Sequence, residues 1–218
     1  MSIKSLGLAA LAAASLAVAA PASAAVITPV GVTASNTFPF WGIYDASHLI
    51  DGSGLSGGLH DATFSNMWMT DLGVDNAVLT FDLGGAFKLS GLSVWNYNFG
   101  TEGYASTLDR AAKAFTVSVS TDGVNYVQVL GGNLSRGTGN LLAAETFGLS
   151  GLARYVQIGL NGNHQQDPQT YGYAPVGLSE VRFSGSAVPE PATWAMMIAG
   201  FGLAGVALRS RRMLGQAA

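Results

Sequence analysis

Apolar and polar residues alternate through the middle of the chain. Phe115, Val117 and Val119 are separated by Thr and Ser, and a similar alternation resumes a few residues later. Alternation of this kind, rich in β-branched and aromatic residues, predicts strands with one buried face. The Asp122-Gly123 pair between the two runs predicts a β-hairpin, because glycine accepts the positive φ of a tight turn.

Similar short segments recur between residues 26 and 187, separated by Gly, Asn, Asp and Ser, with no sustained helical period. This pattern predicts an all-β fold of the β-sandwich or jelly-roll type. The predicted strands are Val30–Ala34, Ala77–Asp82, Leu89–Tyr97, Ala114–Ser120, Tyr126–Leu130, Glu145–Leu149, Ala153–Leu160 and Leu178–Ser184. Phe38–Thr70, Asn98–Ala112 and Asn161–Val176 are long and irregular, which is typical of functional loops. Ser184–Ala187 is predicted to be a linker.

Both ends of the 218-residue chain differ from this central domain. Residues 1–24 carry Lys4, then an apolar run, then a small-residue site at Ala22 and Ala24. This layout predicts a secretory signal peptide that is cut before Ala25, and the alternative is an uncleaved membrane anchor.

The C-terminal end begins with Val188-Pro189-Glu190-Pro191 and continues with an uncharged run over residues 192–208. Arg209, Arg211 and Arg212 follow this run. We predict a transmembrane helix over residues 192–208, because its length is at the lower limit for a bilayer and its glycines suit a membrane helix. The three arginines predict a cytoplasmic C-terminus and an exported domain.

This combination, at residues 188–214, resembles the PEP-CTERM sorting signal of Gram-negative bacteria that make extracellular polysaccharide. The resemblance implies that an exosortase recognises Pro189, Glu190 and Pro191 and cuts nearby. The protein would then be anchored transiently in the inner membrane before it reaches the cell surface or the extracellular matrix. The alternative is a plain tail anchor behind a proline-rich linker.

Charge and cysteine content restrict the partners of the domain between residues 26 and 187. It has six basic and twelve acidic residues, a net charge of −6, and the chain contains no cysteine. The acidic balance argues against nucleic acid and other anionic polymers, and is compatible with neutral glycans and a divalent cation. The lack of cysteine excludes disulfides, thiol catalysis and cysteine-ligated zinc.

Six phrases in order along residues 30–185 resemble the discoidin, or coagulation factor 5/8 type C, domain and the related family 32 carbohydrate-binding modules. They are His48-Leu49-Ile50-Asp51-Gly52, Leu79-Thr80-Phe81-Asp82-Leu83-Gly84, Leu89-Ser90-Gly91-Leu92-Ser93-Val94-Trp95-Asn96-Tyr97, Phe115-Thr116-Val117-Ser118-Val119-Ser120-Thr121-Asp122-Gly123, Ala153-Arg154-Tyr155-Val156-Gln157-Ile158 and Leu178-Ser179-Glu180-Val181-Arg182-Phe183. The resemblance implies an eight-stranded galactose-binding-like jelly roll. Its members mostly bind sugars, phospholipid head groups or protein surfaces.

The resemblance also implies a structural calcium between an early Asp-Gly loop and a glutamate of the last strand. Asp51 and Glu180 match those two positions, and Ser53 and Ser56 are further candidate oxygen ligands. Calcium prefers several hard oxygen ligands in a flexible loop. The alternative is that Asp51 only caps a turn, while Glu180 pairs with Arg182 or Arg154.

Aromatic and planar polar side chains in the predicted loops are candidates for a sugar-binding site, because aromatic faces pack against the C–H patches of sugars. The candidates are Trp41, Tyr44, Trp68, Asn96, Tyr97, Tyr104, Arg110, His164 and Tyr171. Trp41 is the preferred exposed platform, although it could instead cover the bottom of the barrel. We predict that Trp95 packs internally, that Tyr126 and Tyr155 are core residues, and that His164 is a solvated loop residue.

Motifs that would indicate catalysis are missing from the sequence. Asp61, Asp71 and Asp75 lie in predicted loops without a supporting motif, and no nucleophile elbow, zinc-protease motif or phosphate loop occurs. We therefore predict a non-catalytic module that binds polysaccharide in the envelope or matrix. The alternative is a structural or adhesive surface protein that binds other proteins, for which a flat apolar patch rather than a shallow aromatic pocket is expected.

Overall fold

The computed structural model describes residues 24–100, 105–165, 175–189 and 196–205. Its strands are β1 Ala25–Ile27, β2 Gly31–Ala34, β3 Leu55–Ser56, β4 Leu59–His60, β5 Trp68–Met69, β6 Asn76–Asn96, β7 Ala112–Ser120, β8 Val127–Asn133, β9 Leu142–Ala143, β10 Glu145–Asn163 and β11 Gly177–Ala187. The α-helix α1 covers Ala105–Leu108, and 3₁₀ turns cover Ala46–Leu49 and Phe64–Asn66. The predicted all-β sandwich is confirmed.

The main sheet has the strand order β1-β11-β6-β10-β7-β8, with β2 added on β6 and β5 on β11. Its neighbouring strands are antiparallel. A separate small sheet joins β3, β4 and β9. The eight predicted strand segments each overlap a strand of the main sheet, and Val30, Tyr97 and Tyr126 lie one residue outside the observed strands.

Two long strands, β6 and β10, run through both layers of the sandwich. The sequence predicts each as two separate strands, but each is continuous, with register shifts where they pair near Gly148–Gly151 and Ala153–Tyr155. Side chains from the two layers face each other across one core. Phe81 meets Phe183 edge to face at 5.5 Å, and Phe115 meets Phe147 at 4.9 Å. These aromatic pairs join the two layers.

The predicted hairpin is confirmed, but its turn is longer than two residues. Ser120 ends β7 and Val127 begins β8, so six residues form the turn. The carboxylate of Asp122 accepts the backbone N–H groups of Val124 and Asn125, and Gly123 has φ of +76°. The side chain thus caps a wider loop instead of a tight turn.

The strand register places the long loops together. β6 ends beside the start of β11, and β10 ends beside the start of β7. The chain therefore leaves the sandwich after Ala34, Asn96, Asn133 and Asn163 at one end, which we call the loop end. Ala25 pairs with Gly185 and Ala187 pairs with Phe87 at the opposite end, which we call the chain end.

The predicted linker Ser184–Ala187 is wrong, because these residues belong to β11 and the backbone N–H of Val188 still donates to the carbonyl of Ala86. At the other terminus, β1 begins at Ala25, the first residue after the predicted signal-peptide cut. The signal peptide itself stays a prediction, since residues 1–23 lie outside the described chain.

Candidate functional site

A row of aromatic rings runs across the loop end. Trp41 stacks on Phe40 with ring centroids 5.0 Å apart, and Phe40 stacks on Phe38 at 5.8 Å, each pair inclined by 18°. Tyr44 then meets Phe38 edge on at 5.6 Å. Phe64 and Phe99 extend the contacts with centroid distances of 6.2 and 5.4 Å. We call these six residues the aromatic row.

The outer end of the aromatic row is open to solvent. Trp41 is 88% exposed and Phe40 is 44% exposed, whereas Tyr44 is buried. Trp68 and Trp95, the other tryptophans in the described parts of the chain, are both buried. An indole ring that is neither packed in the core nor covered by a loop presents one apolar face for a ligand.

The backbone around Trp41 explains how the ring comes to project outward. Trp41 has φ of +51° and Gly42 has φ of +73°, so two successive residues adopt the left-handed region. The Ile43 N–H donates to the Phe40 carbonyl and closes this turn. A bulky residue with positive φ is uncommon and carries backbone strain, which is often found where a residue serves binding rather than folding.

A small hydrophobic cluster of its own supports the row from below. It contains Tyr44, Met67, Met69, Tyr97 and Ala111, with Phe38, Ile43 and Phe99 packed against it. The Phe38 N–H also donates to the carbonyl of Met69 in β5, which ties the segment to the main sheet. The exposed rings are therefore supported by a packed hydrophobic cluster that is tied to the main sheet.

Arg110 lies beside the inner end of the row. It is half-buried, and its Nη1 is 3.8 Å from the sulfur of Met69. Burial raises the pKa of Tyr97 to about 12, and burial also raises the pKa of Tyr44, while the Arg110 charge lowers both. No carboxylate of the described residues lies within 4 Å of Arg110. The guanidinium thus keeps donor capacity next to two neutral phenols.

Three predicted ligand residues are placed inside the domain. Trp68 is fully buried in the main core, and its indole N–H donates to Thr37 Oγ1. Tyr97 is fully buried in the cluster below the row. Asn96 is also buried, and its amide bonds the backbone of Tyr97, Ala112 and Ser135. These three predictions are wrong, because the loops above cover the strand ends that carry the side chains.

Of the remaining aromatic and histidine predictions, one is confirmed and others differ from the structure. Trp95 is buried and donates to the carbonyl of Gly58, as predicted. Tyr126 and Tyr155 are half-buried on the outer face rather than in the core, and the Arg154 guanidinium lies 5.1 Å from the ring centroid of Tyr155. His164 is not simply a solvated loop residue, because its Nε2 is hydrogen-bonded to the carbonyl of Leu134 at 2.9 Å. Tyr104 and Tyr171 lie outside the described residues.

Phe38, Phe40, Phe64 and Phe99 are members of the aromatic row that the sequence analysis did not propose. Their signal was their position in long segments without strand alternation. Trp41 was found from this signal, but its four neighbours were not.

The predicted calcium residues Asp51 and Glu180 do come close together. The Gly52 N–H donates to Glu180 Oε2 at 3.1 Å. Asp51 caps its own turn by accepting the Ser53 N–H at 2.7 Å, and its other oxygen lies 3.0 Å from His48 Nδ1. Ser56 is exposed on β3. Within the described residues, no group of three histidine or acidic side chains is arranged to hold a metal.

Arg182 contacts both Glu180 and the loop that carries Asp51. Its Nη1 lies 2.6 Å from Glu180 Oε1 and donates to the carbonyl of Ile50 at 2.7 Å. Burial raises the pKa of Glu180 to about 7, and the Arg182 charge acts in the opposite direction. The alternative in which Asp51 caps a turn and Glu180 pairs with Arg182 thus describes the observed contacts, and the residues fit a divalent ion poorly.

The C-terminal signal lies largely beyond the described chain. Pro189 directly follows the last hydrogen-bonded residue of the domain, whereas Glu190, Pro191, Arg209, Arg211 and Arg212 lie outside the described residues. Residues 196–205 are helical. No helix in the described parts of the chain has the length and apolarity to cross a membrane. The transmembrane helix over residues 192–208 therefore stays a prediction.

Comparison with known proteins supports both the C-terminal sorting signal and the fold of the central domain. Residues 187–212 match the PEP-CTERM protein-sorting motif, which confirms the predicted sorting signal. No curated protein matches the chain in sequence.

Solved structures share the fold of the central domain at low sequence identity. The C-terminal domain of a chitobiase from Bacteroides fragilis superposes with a TM-score of 0.54 and 14% identity, over 76% of this chain and 100% of that chain. CpGH89CBM32-5 from Clostridium perfringens, solved in complex with GalNAc-β-1,3-galactose, superposes with a TM-score of 0.51 and 18% identity, over 70% of this chain and 93% of that chain. The central domain therefore has the sandwich fold of family 32 carbohydrate-binding modules and discoidin domains.

Proposed function

We propose that this protein is an exported, non-catalytic module that binds glycans through the outer end of the aromatic row. The observation that carries this proposal is the exposed Trp41 ring, which stacks on Phe40 and projects from a backbone with positive φ. Sugar rings present C–H patches that pack on such a face, and a few polar groups then fix their orientation. Arg110 lies beside Tyr44 at the inner end of the same row, and its guanidinium supplies hydrogen-bond donors there.

The sorting motif supports the proposed location. A PEP-CTERM motif at residues 187–212 implies processing by an exosortase, with transient attachment to the inner membrane through the following apolar segment. The domain would then act at the cell surface or in the extracellular polysaccharide. The similarity in fold to a module solved with GalNAc-β-1,3-galactose agrees with a carbohydrate ligand. A non-catalytic role agrees with Asp61, whose carboxylate caps its own loop by accepting from Thr63 and Asn66.

A glycan and polysaccharide array with the purified full-length protein tests the proposal. We expect saturable binding to one class of sugar and a loss of about tenfold in affinity for Trp41→Ala. Leu72→Ala is the matched control, because Leu72 is also apolar, 60% exposed and located at the loop end. Trp41→Phe should retain most of the binding while it removes the change in tryptophan fluorescence on ligand addition.

Two outcomes would contradict the proposal. Equal losses in the Trp41→Ala and Leu72→Ala variants would move the site away from the aromatic row. If protein that is shown by circular dichroism to be folded binds no glycan on the array, the adhesive alternative is favoured instead. An exposed apolar row also suits a protein partner.

A further inference from the structure

We propose that the guanidinium of Arg182 is a built-in cation that takes the place of a bound metal ion and fastens the 50–53 loop to β11. The resemblance described above implies calcium between the Asp-Gly loop and the glutamate of the last strand. In this chain, an arginine two residues after that glutamate reaches the same gap.

The position of Arg182 follows from strand geometry. Side chains two residues apart on a strand project from the same face, so Arg182 and Glu180 lie side by side on β11. Val181 and Phe183 point the other way into the main core. Ile50 and Gly52, which follow the 3₁₀ turn Ala46–Leu49, lie against the Arg182 side chain. The Arg182–Glu180 pair is thus enclosed between β11 and the 50–53 loop.

The contacts of Arg182 join loop and strand directly. One nitrogen, Nη1, meets both Glu180 Oε1 at 2.6 Å and the carbonyl oxygen of Ile50 at 2.7 Å. A Cβ atom built on Gly52 would lie 3.3 Å from the second nitrogen, Nη2, so the loop backbone passes close over the guanidinium. The Arg182 side chain is 13% exposed and that of Glu180 is fully buried. The buried carboxylate therefore has its countercharge within the chain.

The carboxylate oxygens of Asp51 and Glu180, the two predicted acidic ligands, already have partners. Glu180 Oε1 forms an ion pair with Arg182 and accepts no hydrogen bond from the described residues, whereas Oε2 accepts the Gly52 N–H. Asp51 contacts Ser53 and His48. Calcium takes six to eight oxygen ligands, and it would have to displace a guanidinium that stays charged at every accessible pH. The geometry suits one internal monovalent cation better than an external divalent one.

Thermal unfolding of the full-length protein, with chelator and with added calcium, tests this assignment. We expect the wild-type melting temperature to be the same in both conditions. Arg182→Met should lower it by roughly 10 °C, because a buried carboxylate is left without a countercharge. The double variant Arg182→Met, Glu180→Gln should recover a large part of that loss. Arg154→Met, which breaks the exposed ion pair with Asp82, is the matched control and should change little.

Arg182→Lys keeps the positive charge but lacks the planar guanidinium with its several N–H donors. It provides an intermediate variant if Arg182→Met does not fold. Equilibrium dialysis with radioactive calcium supplies a second measurement that is independent of the variants. A wild-type melting temperature that falls in chelator, or one calcium bound per chain, would overturn the proposal. So would an Arg182→Met protein as stable as the Arg154→Met control.

Discussion

The indole of Trp41 lies nearly parallel to the ring of Phe40, with their centroids 5.0 Å apart, while its own backbone has a φ of +51°. Glycine adopts this region without the steric cost that other residues incur. We predict that Trp41→Gly leaves the free energy of unfolding unchanged or raises it by up to about 1 kcal/mol. Glycan binding should be lost in the same variant.

Chemical denaturation and the binding assay together check this prediction. Trp41→Ala is the comparison, because it removes the ring but keeps the strained backbone, and it should be less stable than Trp41→Gly. A clear destabilisation of both variants would show that the ring contributes to folding rather than to binding alone.

Asn96 joins three backbone segments at the loop end. Its amide nitrogen donates to the carbonyls of Ala112 and Ser135, and its amide oxygen accepts from Tyr97 and Ala112. We predict that Asn96→Ala lowers the free energy of unfolding by about 3 kcal/mol or more, since several buried backbone groups lose their partners. Urea denaturation measures this loss. Asn76→Ala, an exposed position, should stay within about 0.5 kcal/mol of wild type.

Gly185 is required by close packing between β11 and β6. A Cβ atom there would lie 2.5 Å from the Lys88 carbonyl oxygen and 3.1 Å from Leu89 Cα. We predict that Gly185→Ala destabilises the protein by roughly 1–3 kcal/mol because the backbone must move. Gly148→Ala is a matched control in a strand, with open space around the added methyl group, and should be neutral or slightly stabilising. Melting temperatures in the opposite order would show that β11 shifts easily.

The Asp122 carboxylate makes the stability of the hairpin depend on pH. Hydrogen bonds from the backbone N–H and side chain of Asn125, from the Val124 N–H and from Ser120 hold the pKa of Asp122 below its ordinary value. The stabilisation is therefore complete above the ordinary aspartate pKa of about 4 and decreases as the pH falls below it. Asp122→Asn should lower the melting temperature at pH 7, and the difference from wild type should shrink towards pH 2. A constant difference would contradict this assignment.

The alternation of side chains was sufficient to predict the strands but not where they end. Gly84 and Gly85 interrupt the pattern between Leu83 and Phe87, so the sequence suggested two strands where β6 is continuous. Period-two alternation reports which face is buried, and it does not report whether a strand continues through a bend. The short strands β3, β4, β5 and β9 had no such signal because each has only two residues.

The candidate site was predictable only in part, for a similar reason. Trp41 stood out as an aromatic residue in a segment without alternation. Asn96 and Tyr97 looked equally accessible at the end of a strand, but distant loops bury them, and sequence proximity does not reveal this cover. The role of Arg182 depends on how closely the 50–53 loop approaches β11, which only the three-dimensional arrangement determines.

Strand β11 runs from Gly177 at the loop end to Ala187 at the chain end, between β1 and β6. A molecule held by a ligand at one end and by its C-terminal side at the other would carry mechanical tension along this strand. The hydrogen bonds to both neighbours lie across the direction of pull, so many must shear at once rather than open one after another. Under such a load, the pairing of β11 with β1 and β6 would oppose separation of the loop end from the chain end.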